Sequence, residues 1–335
     1  MTTRPIRRAL LSAVLLALAA VAVAACGSSD ATSETTATAT SAASAFPVTI
    51  DNRRGAVEIA AQPRRVVALD FDSADAAIAL GVAPVGMAEI DYAPGKVQPW
   101  TRAALKGETP ELFPYVDGPP LEQIAALHPD LIVATNSYGL DGQWAKLNAI
   151  APVVAGAGAE GADSWETTTE RIGKALGRSA EATKLIADTK ARVAGARTAN
   201  PGFDGATIAF FNYYEGDAWA ITSGDASITF LEQLGFELSP KVAALRGDQG
   251  RAAVSPERFS LLDADVLMGT SPTGDVNEEL AKAPTFQRLA VVRRGSFVGL
   301  DLVTATSIAF PSALSVQWGV EQIVPKLAQA TAAES

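Results

Sequence analysis

One pattern of apolar and polar positions occurs twice in this chain. The first copy runs from Pro119 to Ala134 and the second from Ser255 to Met268. At one constant offset, apolar positions align with apolar positions, Glu122 aligns with Glu257, and Asp130 aligns with Asp265. A register without insertions over so many positions predicts two related structural units.

Each copy has the features of a short helix followed by a buried strand. Proline opens the segment, and a glutamate follows in the first helical turn. A polar turn then leads into a short apolar run, which is typical of a buried parallel strand. The sequence therefore predicts an α/β protein with two doubly wound-like lobes, each built on a central, mostly parallel sheet.

The remaining apolar runs and helical spacings alternate in the same way. The predicted strands are 48–50, 57–59, 65–70, 84–88, 131–134, 207–211, 219–221 and 297–300. The predicted helices are 72–80, 164–176, 179–198, 227–234 and 313–327. Residues 89–114 show no periodicity and are predicted to be irregular.

A long helix separates the two predicted lobes. Residues 179–198 contain no proline and have Ala, Leu and Ile at helical spacing, which predicts a helix roughly 30 Å long. Such a helix can join two lobes as a rigid connection. The predicted domains are an N-terminal lobe at 47–178, a linking helix at 179–200 and a C-terminal lobe at 201–335.

The N-terminus has the pattern of a secretory signal. Three arginines precede an apolar run over 9–25, and Cys26 follows. The run is just long enough to span a membrane, but residues 23–28 resemble the bacterial lipobox. We therefore predict a lipoprotein signal peptide at 1–25 and lipidation of Cys26.

The segment after Cys26 is almost entirely Ser, Thr and Ala, so 26–46 is predicted to be a flexible tether. A lipidated cysteine followed by a tether would place the folded part outside the cytoplasm. The expected location is the extracytoplasmic face of the cell membrane, with the protein anchored by lipid.

Charge and composition exclude several classes of function. The formal net charge is −10, and 1–25 contains arginines but no acid, so the remainder is more acidic still. A chain this acidic is a poor binder of nucleic acid. One cysteine and one histidine exclude a disulfide framework and a Cys/His zinc site.

Several motifs resemble the ferric-siderophore and vitamin B12 binding proteins of bacterial ABC importers. They are 63–69, 79–86, 121–133 and 254–258, in the same order, and the likeness spans roughly residue 64 to the C-terminus. The family usually has lysine where this chain has His128. The resemblance implies two lobes on one rigid helix that capture a ferric siderophore between them and deliver it to a permease dimer.

The resemblance also implies a monomer with no catalysis and no cofactor, iron being carried only within the bound siderophore. It assigns Glu122 and Glu257 to salt bridges with permease arginines, one in each lobe. From the residues alone, each is a first-turn glutamate favoured by the helix dipole. Haem or a corrinoid stays open as the ligand.

Ligand contacts are expected in loops that follow the carboxyl ends of strands. The predicted aromatic contacts are Tyr92, Trp100, Tyr138, Tyr213, Tyr214, Trp219 and Phe310. The predicted cationic contacts are Arg102, Arg246 and Arg251. Many aromatics and few cations favour a nearly neutral ferric hydroxamate over a strongly anionic catecholate, with Arg246 or Arg251 bonding a chelating oxygen.

Enzymes and receptors for bare metal ions are less well supported. A hydrolase would need a Gly-x-Ser-x-Gly elbow, which the sequence lacks. A dinucleotide enzyme would need Gly-x-Gly-x-x-Gly after the first strand, where 69–73 stands instead. Receptors for zinc or manganese use several histidines, whereas this chain has one.

Overall fold

The structure is a computed structural model that describes residues 46–115, 118–159 and 161–333. The predicted signal peptide, Cys26 and all of the predicted tether except Phe46 lie outside the described residues. No helix in these ranges is both long and apolar enough to cross a membrane.

The first half of the fold is built on a five-stranded parallel sheet. A separate antiparallel hairpin, β1 and β2, precedes it. The strands are β1 (Val48–Ile50), β2 (Val57–Ile59), β3 (Val66–Ala68), β4 (Gly86–Ala88), β5 (Glu111–Phe113), β6 (Leu131–Ala134) and β7 (Val153–Ala155). The sheet order is β5-β4-β3-β6-β7, so the strand order reverses between β3 and β6.

Helices cover both faces of this sheet, because its strands are apolar on both sides. They are α1 (Phe71–Ala79), α2 (Pro99–Leu105), α3 (Leu121–Ala126), α4 (Trp144–Ile150) and α5 (Trp165–Ala175). Helices α1 and α5 pack on one face around Val66 and Val133. Helices α3 and α4 pack on the other face around Val67 and Ile132.

The second half repeats this arrangement on a six-stranded mixed sheet. Its strands are β8 (Thr207–Tyr214), β9 (Asp217–Ile221), β10 (Glu237–Leu238), β11 (Arg251–Val254), β12 (Val266–Thr270) and β13 (Phe297–Leu300). The order is β11-β9-β8-β12-β13, with β10 also paired to β8. Strands β9 and β11 are antiparallel to their neighbours, and the other pairs are parallel.

The helices of the second half again lie on both faces of the sheet. They are α7 (Ala226–Gln233), α8 (Pro240–Ala243), α9 (Val276–Ala281), α10 (Pro284–Gln287), α11 (Ala290–Arg293), α12 (Leu302–Ala309) and α13 (Ala313–Ala332). Helix α6 (Ser179–Ala199) has 21 residues and joins the two halves. The long helix predicted from the sequence is therefore present.

The two copies of the repeated pattern form equivalent strand pairs and equivalent hydrogen bonds in the two halves. Strand β6 pairs in parallel with β3, and β12 pairs in parallel with β8. The Asp130 carboxylate accepts hydrogen bonds from the backbone N–H groups of Arg64 and Arg65, just before β3. The Asp265 carboxylate accepts one from the backbone N–H of Thr207, the first residue of β8. The repeated aspartate thus fixes the start of the neighbouring strand in both halves.

The second copy differs from the first in its helix. Residues Pro256–Leu262 form a 3-10 helix rather than an α-helix. Its buried residues, Phe259 and Leu262, are three positions apart, a spacing that a 3-10 helix places on one side. The prediction of an equivalent α-helix was wrong at this point.

Three other segments contain more regular structure than the sequence predicted. Residues 89–114 contain α2 and β5. Both elements are short and have few buried positions, so no periodicity is visible in their sequence. Residues 212–218 complete a β-hairpin of β8 and β9 instead of forming a loop. The segment 301–310 forms α12, with the Asp301 side chain accepting from the Thr304 backbone N–H at its N-terminus.

The N-terminal part of α13 makes a second connection between the halves. It packs against α1 and α2. Trp318 of α13 and Trp100 of α2 have ring centroids 5.1 Å apart. The Ser312 hydroxyl at the start of α13 donates a 2.6 Å hydrogen bond to Asp75 of α1. The two halves are therefore joined by helix α6 and also by this buried contact of polar and aromatic side chains.

Candidate ligand crevice

The candidate site lies where the strand order of the first sheet reverses. Crevices for ligands form outside the carboxyl ends of parallel strands at such a point. Asp70 and Asp72 follow β3, and Asn136 and Ser137 follow β6. The two neighbouring strands thus deliver polar side chains to one edge of the sheet.

Two contiguous cavities open at this edge, and we call them together the crevice. The first cavity has a volume of about 680 Å³ and the second about 570 Å³. The residues lining both cavities are Asp72, Asn136, Tyr138, Gly161, Ala309 and Phe310. Because Phe310 follows α12 while Tyr138 follows β6, the crevice lies between the two halves of the fold.

Aromatic rings form the apolar wall of the crevice. The Tyr138 side chain is 64% exposed and Phe310 is 47% exposed, so both are available to a ligand. Phe310 meets Phe71 of α1 edge to face, with ring centroids 6.1 Å apart. The Tyr115 hydroxyl donates to the Tyr138 backbone carbonyl at 2.9 Å, which holds the loop after β6.

Asp70 organises the floor of the crevice. Its carboxylate accepts hydrogen bonds from the Ser73 backbone N–H at 2.8 Å, the Ser137 hydroxyl at 2.7 Å and the Asn136 backbone N–H at 3.3 Å. The first of these caps α1. Burial raises the pKa of Asp70, while these hydrogen bonds oppose the rise. The same carboxylate therefore starts a helix and fixes the loop after β6.

Asp72 is buried beside Asp70 and is less well paired. Its Oδ2 accepts from the Asn136 side-chain amide at 2.9 Å. Its Oδ1 is buried and has no hydrogen-bond partner in the described part of the chain. Burial, and secondly the Asp70 carboxylate, raise the pKa of Asp72 well above its usual value.

The walls of the crevice are acidic. The first cavity is lined by Asp70, Asp72 and Glu89, and the second adds Asp163, Glu166 and Asp225. Among the described residues, those lining the two cavities include no lysine, arginine or histidine. The lining of the crevice therefore supplies acids and, among the described residues, no basic side chain.

A third cavity, of about 590 Å³, holds Tyr92. It is lined by residues that follow β12 and β13, among them Ser271 and Asp301, and by Lys326. Tyr92 precedes α2 and is 42% exposed. Because Tyr92 comes from the first half and the other lining residues come from the second, this cavity also lies between the halves.

Trp100 and Arg102, both predicted as ligand contacts, lie on α2 and line none of these three cavities. Trp100 is only 4% exposed, and its indole N–H donates to Asp75 at 2.7 Å. Its burial against α13 makes it part of the contact between the halves. Arg102 donates to the backbone carbonyl of Val97 at 3.2 Å and to that of Pro94, so it holds the preceding turn.

The β8–β9 hairpin separates the second group of predicted aromatics. Tyr213 is partly buried and packs against the core that contains Phe211 and Ala220, on one face of the sheet. Trp219 pairs with Asn212 in the register of the hairpin, on the opposite face. Strand alternation therefore places Tyr213 on the side away from Trp219.

The remaining predicted contacts are exposed on or beside this hairpin. Tyr214 and Trp219 are 42% and 40% exposed. Arg246 and Arg251 are exposed as well, and neither lines the crevice. Their loop reaches the second cavity through Gln249 instead. The structure thus brings together Tyr138 and Phe310 and leaves both arginines outside.

The ligand contacts predicted from the sequence do not include the polar residues at the reversal point. Asp70 and Asp72 match the acids expected near the start of a helix, which is a common structural role and does not indicate a ligand site. The available signal was positional: both directly follow the first buried strand, as Asn136 follows β6. Their strand-end positions resemble that of Tyr138, which is a predicted contact.

The two glutamates of the repeat are exposed in both halves. Glu122 lies in the first turn of α3, and Glu257 lies in the first turn of the 3-10 helix at 256–262. Backbone and Ser255 hydrogen bonds lower the pKa of Glu257. Neither glutamate lines the crevice.

Comparison with known proteins identifies the family. Residues 66–303 match the family model described as periplasmic binding protein. The chain belongs to the periplasmic binding protein family. The match confirms the resemblance predicted from the sequence motifs, and it covers most of the described chain.

Individual members of this family are similar in sequence and in structure. The achromobactin-binding periplasmic protein of Dickeya dadantii is 30% identical over 254 residues, covering 72% of this chain and 80% of that protein. A periplasmic solute binding protein of Mycobacterium smegmatis has a TM-score of 0.75 and 32% identity, over 85% of this chain and 98% of that chain. PiaA of Streptococcus pneumoniae, solved in complex with ferrichrome, has a TM-score of 0.70 and 25% identity, over 85% and 99%.

Proposed function

We propose that this chain captures a ferric siderophore in the crevice and delivers it to the permease of an ABC importer. The observation that carries the proposal is the pair of contiguous cavities between the two halves, lined by Tyr138 and Phe310. Its relatives support the ligand class, because one binds achromobactin and another was solved with ferrichrome.

The size and lining of the crevice suit a chelate of this kind. Each cavity falls within the range of about 300 to 1,000 Å³ that small-molecule sites occupy. Exposed aromatic faces at Tyr138 and Phe310 can pack against the apolar arms of a ferric hydroxamate. The iron enters only as part of the ligand, and the role involves no catalysis.

Delivery needs a surface that the permease can recognise. Glu122 and Glu257 occupy equivalent places in the two halves and are exposed. Salt bridges from these two glutamates to permease arginines would dock a monomer across a permease dimer. Two such contacts, one in each half, would also fix the orientation of the crevice toward the membrane.

Anchoring by lipid at Cys26 would keep the protein beside its permease. We expect Cys26→Ala to move the protein into the soluble fraction or to leave its precursor uncleaved. An acidic chain without lipid has little affinity for an anionic membrane, because like charges repel. Normal processing with unchanged membrane retention would contradict the anchor.

Quenching of tryptophan fluorescence tests the ligand class. Trp165 lines the second cavity, so a bound iron chelate should quench its emission. The panel consists of ferric hydroxamates, a ferric catecholate, ferric citrate, haem and cobalamin. We expect a ferric siderophore to quench the emission saturably. We also expect Trp165→Phe to reduce this quenching. Saturable quenching by haem or cobalamin alone would replace the proposed ligand.

A further inference from the structure

The crevice has too many hydrogen-bond acceptors for its donors. Among the residues that the structure describes, three buried side-chain oxygens at the first cavity have no hydrogen-bond partner: Asp72 Oδ1, Asn136 Oδ1 and Gln143 Oε1. Buried polar atoms normally have a partner, because leaving one unpaired costs about 1–3 kcal/mol. Three unpaired acceptors at one cavity therefore indicate that donors arrive with the ligand.

The orientation of the Asn136 side chain is fixed by its neighbours. Its amide nitrogen donates to Asp72 Oδ2 at 2.9 Å and to the Asp163 backbone carbonyl at 3.3 Å. Turning the amide over would place its oxygen against two other oxygens. The Asn136 oxygen is therefore an acceptor without a donor among the described residues, and it belongs to the residue that binds Asp72.

Other acids of the crevice are already paired. Glu89 Oε1 lies 2.6 Å from Lys96 Nζ, and Asp163 Oδ2 lies 3.4 Å from Arg171 Nε. The Glu166 carboxylate lies 3.1 Å from Lys190 Nζ. Asp163 Oδ2 is also buried without a hydrogen-bond donor, but Arg171 balances its charge. Asp72 has an unpaired oxygen as well, and among the described residues it forms no salt bridge.

We propose that the crevice recognises a protonated amine on its ligand, bound by Asp72 with Asn136 and Gln143 as further acceptors. The inference rests on the proposed function and narrows it to ferric chelates that carry an amine and no net negative charge. An ammonium group brings three N–H donors, which matches the three unpaired oxygens in number. A cation beside Asp72 also offsets the burial and the Asp70 charge that raise the pKa of Asp72.

The same walls disfavour anionic chelates. Ferric citrate and ferric tris-catecholates carry negative charge and need several converging cations for desolvated binding. Among the described residues the crevice lining supplies none, and the nearby Arg246 and Arg251 lie outside it. The selectivity expected from the structure is therefore set by charge as well as by shape.

A matched pair of ligands isolates the amine. Ferrioxamine B has a neutral trihydroxamate iron centre and one free amine, and its N-acetyl derivative has the same centre without the charge. Affinities of the full chain, purified in detergent, are measured for both by isothermal titration. We expect acetylation to weaken binding by at least about tenfold, because it removes a charge from a desolvated site.

Asp72→Asn should remove most of this discrimination. The variant keeps the shape of the side chain and is expected to bind the two ligands with affinities within about threefold of each other. Asp188→Asn, which removes an exposed acid on α6, controls for the change in net charge and should preserve the discrimination. Melting temperatures of both variants establish that they are folded.

The outcomes separate this inference from the proposed function. Equal binding of the two ligands by the wild-type chain, or binding of anionic ferric chelates alone, overturns the amine site and leaves the function in place. Discrimination that persists in Asp72→Asn assigns the amine to another residue and also overturns it. Failure of every ferric chelate to bind overturns the function itself.

Discussion

Ser312 and Asp75 form a buried hydrogen bond of 2.6 Å across 237 positions of sequence. Ser312 begins α13, and Asp75 lies in α1 of the other half of the fold. The same carboxylate accepts from the Trp100 indole at 2.7 Å and from the Thr101 hydroxyl at 2.6 Å. One acid therefore gathers three donors at the contact between the halves.

Burial raises the pKa of Asp75 to about 6, against an ordinary value of 3.8, although its three hydrogen bonds oppose the rise. The folded state therefore holds a proton on Asp75 between these two values, where the unfolded chain has lost it. The contribution of Asp75 to the free energy of unfolding therefore falls by on the order of 3 kcal/mol as pH rises from about 4 to about 6. At higher pH this contribution does not change further.

Ser312→Ala should consequently destabilise the protein more at about pH 8 than at about pH 4. At the higher pH it removes a hydrogen bond to a buried carboxylate, worth about 1.5–3 kcal/mol. At the lower pH the carboxyl is mostly neutral and the bond is worth about 0.5–1.5 kcal/mol. Chemical denaturation at both pH values measures the difference.

Ser164→Ala is the matched control for this experiment. Ser164 caps α5 as Ser312 caps α13, but it has no hydrogen bond to Asp75 among those described. Loss of a helix cap costs about 0.5–2 kcal/mol at either pH. An equal effect of pH on both variants would show that Ser312 acts only as a cap.

Tyr138 and Tyr213 should respond differently to truncation. Tyr138→Ala removes an exposed ring from the crevice and is expected to weaken binding of a ferric siderophore by about 1–3 kcal/mol. Tyr213→Ala opens the core on the far face of the second sheet and should instead lower stability by about 1–3 kcal/mol. Isothermal titration and thermal unfolding of both variants distinguish the two roles. A Tyr213→Ala variant that folds normally but binds poorly would place this tyrosine at the ligand.

The double variant Glu122→Ala with Glu257→Ala should abolish import of the ferric ligand. Both glutamates are exposed and neither lines the crevice, so affinity and melting temperature should change little. Uptake of radioactive iron by cells measures the effect, and Glu232→Ala, an exposed acid on α7, is the control. Uptake at the normal rate in the double variant would contradict the docking role. The interaction of the two glutamates with the helix dipole would then be their remaining role.

The two halves should move little when ligand binds. Helix α6 and the contact of α13 with α1 and α2 both resist a hinge. We expect the radius of gyration from solution scattering to change by less than about 1 Å on adding a ferric siderophore. A larger decrease would show that the contacts of Trp100 and Ser312 give way during binding.

Much of the fold was predictable because its signals repeat. Asp130 and Asp265 align in the sequence. Each precedes a strand and accepts a hydrogen bond from the backbone at the start of the neighbouring strand, β3 or β8. Their alignment indicated two similar sheets before any contact was known. Tyr138 follows β6, and this strand-end position predicts its place at the edge of the sheet where the cavities open.

The ligand contacts were less predictable, because composition does not show which way a side chain points. Tyr213 and Tyr214 are adjacent in sequence, yet strand alternation puts them on opposite faces. Trp100 looked like a loop aromatic, but α13 buries it from a distant part of the chain. Pairing across more than 200 positions is a property of tertiary structure that no local pattern carries.

The most direct test of the central claim is isothermal titration of the full chain with ferrioxamine B, in its ferric and iron-free forms. We expect saturable 1:1 binding of the ferric form, with Kd of about 1 µM or tighter. The combined variant Tyr138→Ala with Phe310→Ala should weaken it by at least about tenfold. No saturable heat with this or any other ferric siderophore, or equal affinity in the combined variant, would contradict capture of a ferric siderophore in the crevice.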